Sequence, residues 1–153
     1  MKSVDVLTEE FRARGLKVTP QRQSIFRALS SSTVHPTAEA VYATVSAEMP
    51  TISLRTVYQT LNDLAAMGEL SALDVGTGST HFDPNLEPHH HLVCETCGRI
   101  EDLHLDVPGV RAPSAADTGG FEVSTTEIVF RGRCATCAPA TVHQPPTNPK
   151  QET

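Results

Sequence analysis

Residues 53–83 read SLRTVYQTLNDLAAMGELSALDVGTGSTHFD, and the hydrophobic period changes part-way along. Up to Gly68 the apolar residues Leu54, Val57, Tyr58, Leu61 and Leu64 recur at helical spacing, with Ser53 placed to cap the start and a glycine to close the end. After Gly68, ELSALDV and STHFD are short strand-like runs on either side of a turn at Gly76 to Gly78. A helix running into a two-stranded ribbon is the second half of a winged helix-turn-helix, and this reading organises the rest of the chain.

Upstream, three more helices are predicted. The first runs from about Asp5 to Arg14 and stops at Gly15; TPQRQSIFRAL starts at a Thr19 cap with Pro20 in the first helical position and turns Ile25, Phe26 and Leu29 to one side. In HPTAEAVYATVSAEM the cap is Thr37 and the apolar face is Val41, Tyr42 and Val45. Downstream, HHLVC, RIEDLHL and FEVSTTEIVFRG are strand candidates, the last two separated by a Pro-, Gly- and Ala-rich segment from Val107 to Gly120. The expected architecture is α+β: a winged-helix domain over 1–84, a small metal-binding domain over 85–137, and a tail over 138–153 too poor in apolar surface to fold.

With 153 residues, 39% hydrophobic, the chain suits one ordinary domain or two small ones that support each other through dimerisation. No signal-peptide pattern and no run of about 20 apolar residues is visible, so a cytoplasmic location is expected. A net charge of -6 argues against nucleic acid as a partner, because phosphates require cations. The average hides an asymmetry. Residues 11–38 hold Arg12, Arg14, Lys17, Arg22 and Arg27 and no acid, whereas residues 85–153 hold nine acids against five Lys and Arg. DNA binding therefore stays open beside the plainer reading of a solvated basic face.

Four cysteines form two Cys-x-x-Cys pairs, Cys94 with Cys97 and Cys134 with Cys137. Two intervening residues let a tight knuckle aim both sulfurs at one ion, and two knuckles complete a closed tetrahedral Zn²⁺ shell with no position left for substrate. The 36 residues between the pairs require strand pairing to bring the knuckles together. A redox pair is the weaker alternative, since neither pair opens a helix in a βαβ unit.

Between these motifs lie other ligand types. His89 and His91 are one residue apart in a strand-like run and share a face, while His90 points away; in the next run Asp102 and Glu101 point oppositely. His35, ahead of the third helix, and Asp83, at the end of the ribbon, are remote candidates, and a lone histidine such as His35 is as readily a surface or capping residue. Imidazoles with carboxylates suit Fe²⁺, Mn²⁺ or Zn²⁺. Spacing alone does not bring the five together. Were they to form an open site, a zinc hydrolase would be one reading, against which the winged-helix pattern counts. On the helix that starts at Ser53, the residues Ser53, Arg55, Thr56 and Gln59 lie near the end that helix-turn-helix proteins insert into the major groove, and Tyr58 is ambiguous between core and DNA contact.

Taken in order, TPQRQSIFRAL, HPTAEAVY, ISLRTVYQTLNDLAAMGEL, THFD, HHHLVCETCGRIEDL and GRCATC closely resemble the ferric uptake regulator family over roughly residues 7–137. The resemblance implies a homodimeric repressor of transcription that binds double-stranded operator DNA and is not an enzyme. Its N-terminal domain would be a winged helix, contacting DNA through Lys17, Arg22, Ser53, Arg55, Thr56, Tyr58 and Gln59, and its C-terminal domain a small α/β dimerisation unit. It also implies a structural Zn²⁺ on Cys94, Cys97, Cys134 and Cys137, and a regulatory Fe²⁺ or Mn²⁺ on His35, Asp83, His89, His91 and Asp102. Within the family the chain looks most like the peroxide-responsive repressors, which carry Asp where iron-uptake members usually carry Glu, five residues after the second cysteine; here that residue is Asp102. Hydrogen peroxide would then be sensed through oxidation of His35 or His89. An iron- or zinc-uptake regulator that responds to metal level alone is the alternative. Two departures stand out: VPGVRAPSAADTGG weakens the helix usually found before the last strands, and Gln59 stands where iron-uptake members commonly have arginine.

Overall fold

The structure is a computed structural model, and it describes residues 1–32, 34–111 and 113–138. The tail read as unfolded lies, from residue 139 onward, outside the described residues. Four helices, α1 (Val4–Ala13), α2 (Pro20–Ser30), α3 (Ala38–Glu48) and α4 (Leu54–Ala66), precede five strands: β1 (Ser71–Leu73), β2 (His81–Asp83), β3 (His90–Cys94), β4 (Ile100–Leu103) and β5 (Val129–Gly132).

Each helix begins where a hydroxyl side chain meets an otherwise unpaired N–H. Ser3, Thr19, Thr37 and Ser53 accept from the backbone N–H of Val6, Arg22, Ala40 and Thr56 respectively, each cap being worth about 1 kcal/mol. After α4 the chain reverses through Gly68, whose φ of 73° is a conformation that a side chain disfavours. The buried faces converge on one core made of Leu7, Phe11, Ile25, Phe26, Leu29, Val57, Leu61, Leu64 and Phe82. Phe11 and Phe26 meet edge to face with centroids 4.9 Å apart. Of the apolar stripe on α4, Tyr58 falls outside this core and is exposed.

β1 and β2 form the expected antiparallel hairpin, with Ala72 opposite Phe82. The segment ahead of α3 lies against its outer edge: Thr37 bridges His81, and the Phe82 N–H donates to the Pro36 carbonyl at 2.9 Å. That contact sets His35 beside Asp83.

The second sheet has the order β4-β3-β5. β3 pairs antiparallel with β4, placing His91 opposite Asp102, and parallel with β5, placing Cys94 opposite Gly132. A second apolar cluster, Leu73 and Val75 against Val93 and Ile100, joins the hairpin to this sheet. FEVSTTEIVFRG is a strand only over its last residues. β3 begins at His90, so nothing upstream of Ile128 has a strand to pair with; the Ile128 carbonyl takes the first rung from the His91 N–H, and Phe121 is 73% exposed. Residues 115–120 form turns, and among the described residues no helix follows Ala66. Among those residues no helix is long and apolar enough to cross a membrane.

Candidate metal centres

The parallel pairing of β3 with β5 explains how two knuckles 36 residues apart meet. Both strands end on the same side of the sheet, Cys94 as the last residue of β3 and Cys134 two residues beyond β5. Each knuckle is closed by a backbone turn, Gly98 N–H to the Cys94 carbonyl at 2.8 Å and Cys137 N–H to the Cys134 carbonyl at 2.9 Å. The four sulfurs lie within 4.8 Å of one another. Cys97 and Cys134 are 3.8 Å apart, the edge of a tetrahedron with bonds of about 2.3 Å to a central Zn²⁺, and far from the roughly 2.05 Å of a disulfide.

Local amides prepare this site for a cation. The Cys134 N–H, 3.3 Å from Cys94 Sγ, and the Cys97 N–H pull the Cys94 thiol down to about 6. Cys134 is lowered by the Cys137 N–H, whereas hydrogen bonds to Cys97 and Cys134 push Cys137 up to about 12. Four thiolates this close repel unless positive charge sits among them. The donor set, the spacing and the amide support therefore fit Zn²⁺, as expected for this sequence.

The second cluster is built from both halves of the chain. His35 comes from the loop ahead of α3, Asp83 ends β2, His89 immediately precedes β3, His91 lies within it and Asp102 lies on β4. One donor atom from each lies within 4.8 Å of every other. Asp102 Oδ1 is 2.8 Å from His35 Nε2 and 3.6 Å from His89 Nε2. Asp83 Oδ2 is 3.1 Å from His89 Nε2 and 3.6 Å from both His35 Nε2 and His91 Nε2. His89 Nε2 and His91 Nε2 are 3.0 Å apart. Donors at about 2.1 Å from one ion are separated by about 3.0 Å at right angles and about 3.6 Å at 120°, so these separations are those of a single five-donor shell.

Ring-nitrogen partners support the same picture. His89 Nδ1 donates to the Glu87 carbonyl at 2.6 Å and His91 Nδ1 to Glu127 Oε1 at 2.8 Å, the outer contacts that turn an Nε2 lone pair toward a metal. His35 is buried, and neither of its ring nitrogens has a hydrogen-bond partner; the 2.8 Å approach of Nε2 to Asp102 does not have hydrogen-bond geometry. A buried imidazole in that state fits a metal ligand. Burial pulls the His35 pKa down, but Asp83 and Asp102 more than offset it, so the net shift is upward. For Asp83, burial pushes up and is outweighed by His35, the Asn85 N–H and His89, leaving the carboxyl below its usual range. His90 and Glu101 stand outside the cluster, and Glu101 pairs with Arg99 at 2.6 Å.

Two participants carried no signal in the sequence. Glu127 supports His91 from the stretch leading into β5, and Asn85 contacts both carboxylates, its N–H reaching Asp83 Oδ1 and its side-chain amide reaching Asp102 Oδ2, each at 2.7 Å. An isolated Asn in a loop and one Glu among several have no spacing to distinguish them.

The model of the ferric uptake regulator family matches residues 13–131. The chain belongs to the ferric uptake regulator family. It is 36% identical over 141 residues to the peroxide-responsive repressor PerR of Staphylococcus epidermidis, a match spanning 90% of this chain and 94% of that protein. Among solved structures, PerR from Streptococcus pyogenes, described for peroxide sensing and gene regulation, is 29% identical with a TM-score of 0.52, covering 90% of this chain and 95% of that one. The ferric uptake regulator of Vibrio cholerae is 27% identical with a TM-score of 0.70, covering 84% and 99%. Members of the ferric uptake regulator family are metal-dependent transcriptional regulators, not enzymes, which sets the hydrolase reading aside.

For a family member, the polar face of α4 has a clear internal order. Asp63 accepts from Arg22 at 2.7 Å and from Gln59 at 2.8 Å, and the Arg22 guanidinium also lies 5.2 Å over the Phe11 ring. Arg22, read as a DNA contact, is thus mostly buried and held between Phe11 of α1 and Asp63 of α4. The Tyr58 hydroxyl donates to Glu39 at 2.6 Å, and the Ser53 and Thr56 hydroxyls meet at 2.9 Å within the cap. Lys17 and Arg55 are exposed and make no ion pair among the described residues.

Proposed function

We propose that this chain is a homodimeric repressor that binds operator DNA when Fe²⁺ or Mn²⁺ occupies His35, Asp83, His89, His91 and Asp102, and that hydrogen peroxide is its signal. Zn²⁺ on Cys94, Cys97, Cys134 and Cys137 is its structural metal. The observation that carries the reading is the five-donor cluster itself: His35 precedes α3 and Asp83 ends β2, whereas His89, His91 and Asp102 lie at β3 and β4 of the second sheet.

A ligand that binds one arrangement of two bodies shifts their equilibrium toward it. His35 is tied to the hairpin through its carbonyl, which accepts from His81 Nδ1 at 2.8 Å, so drawing His35 toward Asp102 draws the hairpin and α3 with it. The winged helix is thereby held in one orientation, with Lys17, Ser53, Arg55, Thr56, Tyr58 and Gln59 as the surface offered to DNA. Bound Fe²⁺ would supply the redox chemistry that splits the peroxide O–O bond, one oxygen leaving as water and the other added to an adjacent imidazole, which in net gives up both electrons. His35 and His89 are the rings placed for it, each contributing Nε2 within 3.6 Å of both carboxylates. Losing either imidazole as a donor removes the link between the halves and releases DNA. Asp102, in place of Glu, and the 36% identity to a peroxide-responsive repressor support peroxide over metal level as the signal.

The test is DNA retardation with Mn²⁺ and with Fe²⁺, before and after peroxide, followed by mass spectrometry of His35 and His89. Loss of binding confined to the Fe²⁺ sample, with one added oxygen on either histidine, is expected. Equal binding in all four samples would leave a regulator of metal level, and absence of binding throughout would end both readings.

A further inference from the structure

The two carboxylates of the five-donor cluster share an outer partner. Asp83 turns Oδ2 toward the histidines, and its other oxygen, Oδ1, accepts the Asn85 N–H at 2.7 Å. Asp102 turns Oδ1 toward His35, and its other oxygen, Oδ2, accepts from Asn85 Nδ2 at 2.7 Å. The orientation of the Asn85 amide is not arbitrary: its Oδ1 accepts the Glu87 N–H at 3.2 Å, so the nitrogen must face Asp102. One residue of the linker between β2 and β3 therefore occupies the outward oxygen of both acids.

We propose that Asn85 is a positioning residue that confines Asp83 and Asp102 to one donor oxygen each and thereby sets which divalent ion the cluster accepts. A carboxylate can offer a metal both oxygens only by rotating, and here rotation would break a charge-assisted hydrogen bond on each acid. With both acids restrained, the cluster supplies three nitrogens and two oxygens, a set suited to a transition ion. Released, the acids could supply four oxygens, closer to the six to eight that Ca²⁺ prefers. Asn85 thus favours Mn²⁺ or Fe²⁺ over Ca²⁺ without touching the ion.

This inference rests on the five residues being a metal site, as proposed above. It is tested by titrating the full zinc-loaded chain with Mn²⁺ and with Ca²⁺, following free Mn²⁺ by electron paramagnetic resonance and Ca²⁺ calorimetrically, in the wild type, Asn85→Ala, Asn85→Asp and His35→Ala. Melting of each chain without added Mn²⁺ or Ca²⁺ is recorded alongside. Asn85→Ala is expected to weaken Mn²⁺ binding about tenfold, as for other outer-shell partners, and to lower the Mn²⁺-to-Ca²⁺ preference by a similar factor with unchanged melting. Both substitutions leave the backbone N–H on Asp83 and free Asp102 alone; Asn85→Asp keeps the side-chain size but repels Asp102, and should lower the preference further. An unchanged preference, or equal losses for both ions with a lowered melting temperature, would overturn the inference and leave Asn85 a structural residue. If the wild type takes up no Mn²⁺, or His35→Ala takes it up equally well, the metal-site reading itself fails.

Discussion

Replacing Asp102 by Glu adds one methylene, and the site has little room for it. The carboxylate must move by about 1.5 Å, while its two oxygens are engaged at 2.8 Å (His35 Nε2) and 2.7 Å (Asn85 Nδ2). The side chain can preserve the inward position or the outward hydrogen bond, and metal affinity selects the inward one. Hydrogen bonds to charged groups are worth roughly 1.5–3 kcal/mol; Asp102 is 29% exposed, so the lower half of that range applies. About 1.5–2 kcal/mol corresponds to roughly 10- to 30-fold. Once free of Asn85, the longer carboxylate can also present both oxygens. Asp102→Glu should therefore weaken Mn²⁺ binding about 10- to 30-fold yet keep DNA binding at saturating Mn²⁺, while its Fe²⁺ form loses DNA more slowly in peroxide than the wild type. The assay is the decay of a fluorescently labelled operator complex after a peroxide pulse, with histidine oxidation quantified by mass spectrometry in parallel. A variant that binds DNA normally and is oxidised at the wild-type rate would refute the reasoning.

Asp63→Ala strands Arg22 in a mostly buried position and frees Gln59, so it should cost the winged-helix half about 2–4 kcal/mol in chemical unfolding; a loss below about 1 kcal/mol would show that the pair is only a surface contact. Lys2 holds Glu10 and Glu69 at 2.5 and 2.6 Å and keeps the Glu10 carboxyl below its ordinary 4.5. A lowered carboxyl stabilises the fold above its unfolded pKa, and that contribution fades as pH falls through the folded value. Lys2→Met should hence melt lower than the wild type at pH 6, with the gap narrowing below about pH 4.5, as read by circular dichroism; a gap independent of pH would count against it. Cys97→Ser should release Zn²⁺ to a colorimetric chelator while α1 to α4 keep their circular dichroism signal, because none of the four cysteines belongs to the helical core.

What the sequence made legible follows from how local each determinant is. All four helix caps are single hydroxyl residues acting three positions ahead, so Thr19, Thr37 and Ser53 could be read directly. Both candidate ligand clusters were readable because their side chains are chemically distinctive and four of them, His89, His91, Cys94 and Cys97, follow one another along β3 and its flanks. The extent of β5 was not readable. Alternation in FEVSTTEIVF signals strand capacity, but pairing depends on where β3 begins, and that lies far upstream of β5, just after the bend at Glu87–Pro88. Asn85 and Glu127 were equally hidden, since a single hydrogen-bonding side chain leaves no periodic trace.

The four-cysteine and five-donor clusters share one strand, and this links their physics. β3 has His91 opposite Asp102 across β4 and Cys94 opposite Gly132 across β5, so a one-residue slip of β3 would exchange His91 for His90 at the regulatory site and withdraw Cys94 from the sulfurs. Burial alone guards that register weakly: only Val93 on β3 and Ile100 on β4 join the second apolar cluster, and Leu92 on the other face is exposed. A four-sulfur ion tying the end of β3 to the chain beyond β5 would supply the missing specification. A Zn²⁺ ion closed within the four sulfurs at one end of the strand would then do more than hold the sheet together. It would keep His91 and Asp102 on one face, so that His35 and Asp83 could complete the proposed shell only when the winged helix is correctly docked.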